Sequence, residues 1–223
     1  SPVSALSNPV RSFATMKKAL MWALPLVLVS FSLVVAEEKG DDGWKSLFDG
    51  KTLKGWKASE RPEQWKVVDG AIVAHGERSH LFYMDDEFED FHLKADIMTL
   101  PGSNSGLYVC TKFQDGGWPE IGYETQVNNT QGDPVKTGSL YNVVKIYQAN
   151  AQDNKWWTQE VIVRGKSIRV LVDGKVLYEY AEPDGVTGTR KLGKGTFALQ
   201  AHDPGSTAMY KNIMVKKLEK EDR

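Results

Sequence analysis

The chain reads as an all-β protein, a two-sheet antiparallel β-sandwich of jelly-roll type. Three observations predict it. After residue 36 the apolar residues fall in short alternating runs. Gly, Asp, Asn and Pro break those runs at regular intervals. No stretch beyond that point carries a sustained helical period.

The elements follow in order. Residues 65–68 and 71–74 flank Asp69-Gly70, a dipeptide suited to a tight hairpin turn. Residues 91–98 alternate apolar with polar. A turn at Pro101-Gly102-Ser103-Asn104 leads into 106–111, and 139–148 supplies another run. Residues 158–163 pair with 167–172 across Arg164-Gly165-Lys166, and Asp173-Gly174 turns the chain into 175–178. Residues 208–215 form the last run. The segments 150–155 and 182–194 read as loops at the sandwich rim, and the charged tail 216–223 as a fraying end.

Two runs combine strand periodicity with chemistry. In 122–127, Glu124 and Gln126 share one face while Tyr123, Thr125 and Val127 share the other. In 196–203, Phe197 and Leu199 point one way and Gln200 and His202 the other. Such strands, side by side, predict a polar sheet surface suited to sugars.

Residues 1–36 are expected to be an over-called start followed by a secretion signal peptide. Met16-Lys17-Lys18 begins it, 19–35 is almost wholly apolar, and Ala36 precedes the charged Glu37-Glu38-Lys39. The competing reading is an uncleaved membrane anchor. The absence of a Cys at the processing point argues against a lipoprotein. Residues 37–223 then form a single sandwich domain, with its core at about 44–218, in an exported periplasmic or extracellular protein.

Composition excludes several classes. With 28 basic and 29 acidic residues and no basic block, nucleic acid has no electrostatic footprint here. The single cysteine, Cys110, permits no internal disulfide. It reads as a small buried hydrophobe, the alternative being a nucleophile. There is no phosphate-binding glycine loop, His/Cys metal spacing or internal repeat, so no cofactor is required. A divalent ion such as Ca²⁺ between loops stays open, with no ligands assigned.

Several motifs occur together and in order: Leu47-Phe48-Asp49-Gly50-Lys51-Thr52-Leu53-Lys54-Gly55-Trp56, Asn104-Ser105-Gly106-Leu107, Gly122-Tyr123-Glu124-Thr125-Gln126-Val127, Thr137-Gly138-Ser139-Leu140-Tyr141, Val172-Asp173-Gly174-Lys175, Leu199-Gln200-Ala201-His202 and Tyr210-Lys211-Asn212-Ile213. Across about 44–218 the chain thereby resembles the 3-keto-disaccharide hydrolase domain family. The resemblance implies a concanavalin A-like sandwich with a sugar-binding face. The chain departs from that family's pattern at Cys110, where Arg is usual, at Thr158, where Asn follows the Trp, and at Asp173, where Asn is common. The first departure implies a missing cationic contact.

Glycosidases of this fold that resemble laminarinases carry Glu-x-Asp-x-x-Glu on one strand. From Glu124 the same spacing gives Gln126 and Asn129, so a two-carboxylate displacement lacks its second carboxyl. A 3-keto sugar asks for less. Its ketone acidifies the C2 proton, one base removes it, the C1 substituent leaves, and water adds back. Glu124 and His202 are the candidate base and acid, in either order, and Lys145 the candidate for the enolate. Tyr108, Gln126 and Gln200 would orient hydroxyls, with Trp118 stacked on a sugar face, and the resemblance makes Asn104 a further substrate-binding candidate. Each has a plainer alternative: a structural carboxylate at Glu124, a turn cap at His202, a solvated Lys145, a turn-shaping Asn104, and Gln126 bonded to Gln200. His75, His80 and His92 read as surface or packing residues, and Trp44, Trp56, Trp65 and Trp156 as core. The partners expected are a carbohydrate substrate and a sugar 3-oxidoreductase that makes the ketone. The competing functions are a non-catalytic lectin-like module and an adhesion or envelope-assembly role.

Overall fold

The computed structural model describes residues 43–219. The expected leader, and the end of the tail, lie outside the described residues. No helix among those described is long and apolar enough to cross a membrane. Thirteen strands follow in chain order. They are β1 (Trp44–Ser46), β2 (Trp56–Ala58), β3 (Trp65–Val68), β4 (Ala71–His75), β5 (Ser79–Tyr83), β6 (Phe91–Thr99), β7 (Asn104–Thr111), β8 (Tyr123–Asn128), β9 (Trp157–Arg164), β10 (Ser167–Val172), β11 (Lys175–Ala181), β12 (Thr196–Ala201) and β13 (Thr207–Lys217).

They form two antiparallel sheets, as the sequence predicts. One runs β11-β10-β9-β6-β13-β4-β3, with β1 paired to β13, and the other runs β2-β5-β12-β7-β8. The larger sheet keeps the period-two pattern that alternation demands. In β6, Phe91, Leu93, Ala95 and Ile97 are buried while His92, Lys94, Asp96 and Met98 face outward. The hairpins expected at 69–70, 164–166 and 173–174 join β3 to β4, β9 to β10 and β10 to β11.

The five-stranded sheet departs from half-buried alternation. Every residue of β5, β7, β8 and β12 is buried. One face packs on the other sheet through Leu107, Val109, Val127, Phe197 and Leu199. The opposite face carries a smaller cluster of Phe82, Tyr108 and Ala198, with Phe113 against it, and the polar residues described below. Phe197 sits at the heart of the main core, stacked on Phe88 at 4.9 Å between centroids and edge-on to Phe91 at 5.0 Å.

Cys110 occupies a bulge in β7. The register pairs Thr196 with Thr111 but Ala198 with Tyr108, so Val109 and Cys110 together oppose Phe197. Cys110 takes a left-handed φ of 55° and its side chain joins the main core. Burial pushes its thiol pKa up to about 12, which suits a small hydrophobe and not a nucleophile.

The run expected at 139–148 is not a strand. Leu140 makes only isolated bridges, to Thr125 and Val144, and the backbone turns sharply through Asn142, whose φ is 63°. Among the expected core tryptophans, Trp56 and Trp65 are buried, whereas Trp156 is exposed on the outer side with the Lys211 ammonium 4.1 Å from its ring centroid.

Phe197→Ala is expected to destabilise the domain by about 3–5 kcal/mol, through lost burial and the cavity left behind. Urea unfolding should show a lower midpoint at unchanged slope.

Candidate functional site

A hollow of about 240 Å³ opens on the outer face of the five-stranded sheet. Its walls are Asn104 and Tyr108 from β7, Glu124 and Gln126 from β8, Gln200 from β12 with His202 just beyond it, and Trp118, Asp133, Tyr141 and Arg190 from loops. Seven of the eight residues singled out in the sequence line this one space. Its size is below the roughly 300–1,000 Å³ of sites for drug-sized ligands.

Strand alternation delivers Glu124 to the hollow and Tyr123 and Val127 to the core. The carboxyl then needs space, and Gly106 on the neighbouring strand supplies it. A β-carbon at 106 would overlap Glu124 Oε1 and come within 3.0 Å of its Cγ and Cδ. Entry to β8 depends on Gly122, whose φ is 77° and where a β-carbon would overlap the Val109 carbonyl.

Glu124 is 6% exposed. The Tyr108 hydroxyl donates to its Oε2 at 2.9 Å, and Gln200 Nε2 donates to Oε1 at 3.2 Å. Burial pushes its pKa up to about 7, against the downward pull of the Tyr108 bond, the Arg190 charge and the Gln200 bond. Burial and the adjacent Glu124 raise the Tyr108 phenol far above its usual range, so Tyr108 serves as a donor. The phenol is braced from below by Phe82 and Ala198.

Gln200 is the hub of this network. Its Nε2 also donates to Tyr108 Oη at 2.9 Å and lies 3.4 Å from His80 Nε2. Gln126 instead donates to Asn104 Oδ1 at 3.2 Å. No bond joins Gln126 to Gln200 among the described residues, so that structural alternative is set aside. The Oε1 atoms of both are buried without a partner.

His202 is held by its neighbour. Its Nδ1 lies 2.8 Å from Asp203 Oδ2, which also accepts from the Ser206 hydroxyl, while Asp203 Oδ1 accepts the Gly205 amide. Asp203, not His202, therefore caps the turn expected there. The Trp118 indole lies 5.3 Å from the His202 ring and is 42% exposed at the rim. Its loop is pinned by Gln114, which donates to the Gly116 and Trp118 carbonyls, and by Glu60, which accepts the Gly117 amide.

Lys145 does not belong to the hollow. It is exposed, past the sharp turn that aims Tyr141 inward. Sequence reasoning missed Arg190 and His80. Arg190 lies within the loop expected at 182–194 and lines the hollow. His80 is fully buried on β5, paired with Gln200 across the sheet and edge-on to the Tyr108 ring at 5.3 Å. Burial drops its pKa to about 3, so it stays neutral. The pairing of β5 with β12 is the signal that would have placed His80, but β5 carries no alternation to announce it. Among the described residues no group of three or more His, Cys, Asp or Glu side chains is arranged to hold a metal ion.

Known proteins carry the same architecture. The family described as the 3-keto-alpha-glucoside-1,2-lyase-like domain matches residues 43–216, and the chain belongs to that family. A Bacteroides thetaiotaomicron protein named 3-keto-disaccharide hydrolase is 25% identical over 155 residues, covering 55% of this chain and 52% of that protein. The chain thus spans about half the length of the curated relative it matches. Among solved structures, a candidate glycosyl hydrolase from Parabacteroides distasonis superposes with a TM-score of 0.69 at 22% identity, covering 83% of this chain and 99% of that one. A Bacillus licheniformis β-glucanase superposes at 0.55 and 12% identity, covering 79% and 97%. At those identities the likeness is one of fold, the concanavalin A-like sandwich. Family and relative together support a hydrolase-like, carbohydrate-active protein.

Two outcomes follow from this geometry. Gly106→Ala should displace the Glu124 carboxyl and lower any turnover by roughly 10²-fold, as misplacement by about 1 Å can, with the circular dichroism spectrum preserved. The second concerns pH. The folded pKa of Glu124 lies above the ordinary glutamate value of 4.5, so between 4.5 and about 7 the folded state binds a proton that the unfolded state releases. Stability therefore falls as pH rises through that window, by on the order of 3 kcal/mol. Glu124→Gln removes this dependence. Relative to the parent, its urea midpoint should gain between pH 5 and pH 8.

Proposed function

We propose, with that family membership as the premise, that the protein cleaves glycosidic bonds of 3-keto-glycosides by elimination followed by hydration. The observation that carries the reading is Glu124, a carboxyl enclosed at the hollow with a pKa of about 7. A base that is half ionised at neutral pH suits removal of a proton made acidic by an adjacent ketone. An ordinary glycoside would need a second carboxyl for displacement, and the positions that would carry it hold amides, Gln126 on β8 and Asn129 just beyond its end.

Glu124 takes the C2 proton. The C2–H pair forms C2=C3 and the carbonyl pair moves to the C3 oxygen. On collapse C3=O re-forms, C1=C2 forms, and the C1–O pair leaves with the departing sugar, which takes a proton from His202. Water then adds to C1, giving a proton back to His202, while Glu124 returns its proton to C2. Elimination alone is a lyase reaction and the pair of steps is a net hydrolysis, which accommodates both the family's description and the relative's name. Asp203 holds His202 at Nδ1, and the exposed Trp118 offers an apolar face to the sugar being released.

The proposal extends to export, supported by the pattern of residues 16–36, and to an upstream sugar oxidoreductase that supplies the ketone.

Purified protein mixed with a 3-keto-disaccharide should release monosaccharide. kcat/KM should rise with pH through about 7 as Glu124 ionises. Glu124→Gln should lose at least 10²-fold with its fold intact. Binding of the keto-sugar by the parent without release would overturn the enzyme reading in favour of a lectin-like module.

A further inference from the structure

The proposed reaction places negative charge on the C3 oxygen, and the residue expected to meet it from the sequence, Lys145, points elsewhere. We infer that Arg190 is a catalytic residue that donates through Nη1 to the ketone oxygen of the bound sugar and to the enolate oxygen that replaces it. The inference rests on the elimination reading above.

Four observations place it there. Arg190 lines the hollow beside Glu124. Its Nη1 is buried and has no hydrogen-bond partner among the described residues. A buried, charged donor left unpaired is costly, and is retained where a ligand supplies the acceptor. The nearby carboxyl does not fill that role: the hydrogen bonds to Glu124 come from Tyr108 and Gln200, and Nη1 reaches neither oxygen. The natural bidentate pair of Arg with Glu is thus forgone, and Nη1 keeps its hydrogens for another acceptor.

The guanidinium is also fixed in place before any ligand arrives. Its Nη2 donates to the Pro119 carbonyl at 3.1 Å, beside Trp118. The preceding residue, Thr189, accepts the Gly122 amide at 3.1 Å, two positions before Glu124. Glu182 staples the rest of the loop, accepting the Tyr123 hydroxyl at 2.7 Å and the Leu192 amide at 2.8 Å. The base and the proposed oxygen-binding group therefore hang from one short stretch of β8. A donor fixed in advance toward developing charge is worth about 10²–10³-fold in rate.

The acceptors that hold a charged donor best are carbonyl and anionic oxygens. The Oε1 atoms of Gln126 and Gln200, also buried without partners, want hydroxyl donors instead. A sugar with one carbonyl among its hydroxyls satisfies both demands at once.

The test follows deuterium entering C2 of a 3-keto-glycoside in D₂O, which reports enolate formation apart from departure of the C1 group. Arg190→Met should lose 10²–10³-fold in C2 exchange and in kcat alike. It should also lose affinity for the keto-disaccharide but not for the same disaccharide with a hydroxyl at C3. Because the Arg190 charge pulls Glu124 down, the rise of exchange with pH should move to higher pH in the variant. Arg190→Lys, which keeps the charge without the fork, should fall between variant and parent, and it decides the matter if the Met variant does not fold. Exchange at the parent rate in either variant, or equal loss of both disaccharides, would overturn the inference. A parent protein that neither exchanges C2 nor releases sugar would overturn the elimination reading instead.

Discussion

The desolvation of one carboxyl organises this molecule. Glu124 is nearly stripped of water at the floor of the hollow, and its neighbours are arranged around that fact. Gly106 leaves the space, Tyr108 and Gln200 satisfy the two oxygens, and Phe82 with Ala198 keeps the phenol pointed at its partner. The pKa near neutrality is a balance of opposed effects, burial raising it and the hydrogen bonds and the Arg190 charge lowering it.

The same strands serve the core and the site. Along β8 and β12 alternate residues go to opposite faces, so Val127 and Leu199 anchor the sandwich while Gln126 and Gln200 face the hollow. The sheet locks the backbone on which the polar residues stand, and a site built on strands is held more closely than one built on loops alone. The bulge at Cys110 belongs to this scheme. It ends the regular pairing of β7 with β12 just past Tyr108, and it turns the residue after Val109 into the core. The cysteine at the position expected to carry a cation therefore takes nothing from the hollow, where Arg190 from a distant loop supplies a guanidinium.

What the sequence made legible was periodicity. Glu124, Gln126, Gln200 and His202 could be assigned to one face because a strand places every second residue together. That the two strands share a sheet with β7 between them came from the structure, since a sandwich leaves the order of its strands open. Reach across sequence was not legible. Arg190 arrives from a loop whose course is set by Glu182 and Gly122, neither of which carries a periodic signal. His80 lies in a strand buried on both faces, where polar and apolar residues do not alternate. The run at 139–148 looked like a strand because its composition is β-rich. Its hydrogen bonds instead close a tight turn on Leu140, and this reversal sends Tyr141 to the hollow and leaves Lys145 in solvent.

The unpaired arm of Arg190 and the raised pKa of Glu124 are two sides of one arrangement. Had the guanidinium closed onto the carboxylate, the ion pair would have stabilised the charged form, lowered the pKa and left a weaker base. Holding Arg190 to the Pro119 carbonyl keeps its charge near enough to be felt by Glu124 but directs its hydrogen bond elsewhere. Tyr108 and Gln200 then satisfy the carboxyl with neutral donors, which perturb its basicity less than a cation in direct contact would. The fold accepts an unsatisfied N–H and a destabilised carboxyl in exchange for two groups that are poised apart. Such a separation of proton acceptor from oxygen donor is what removal of a proton beside a carbonyl requires.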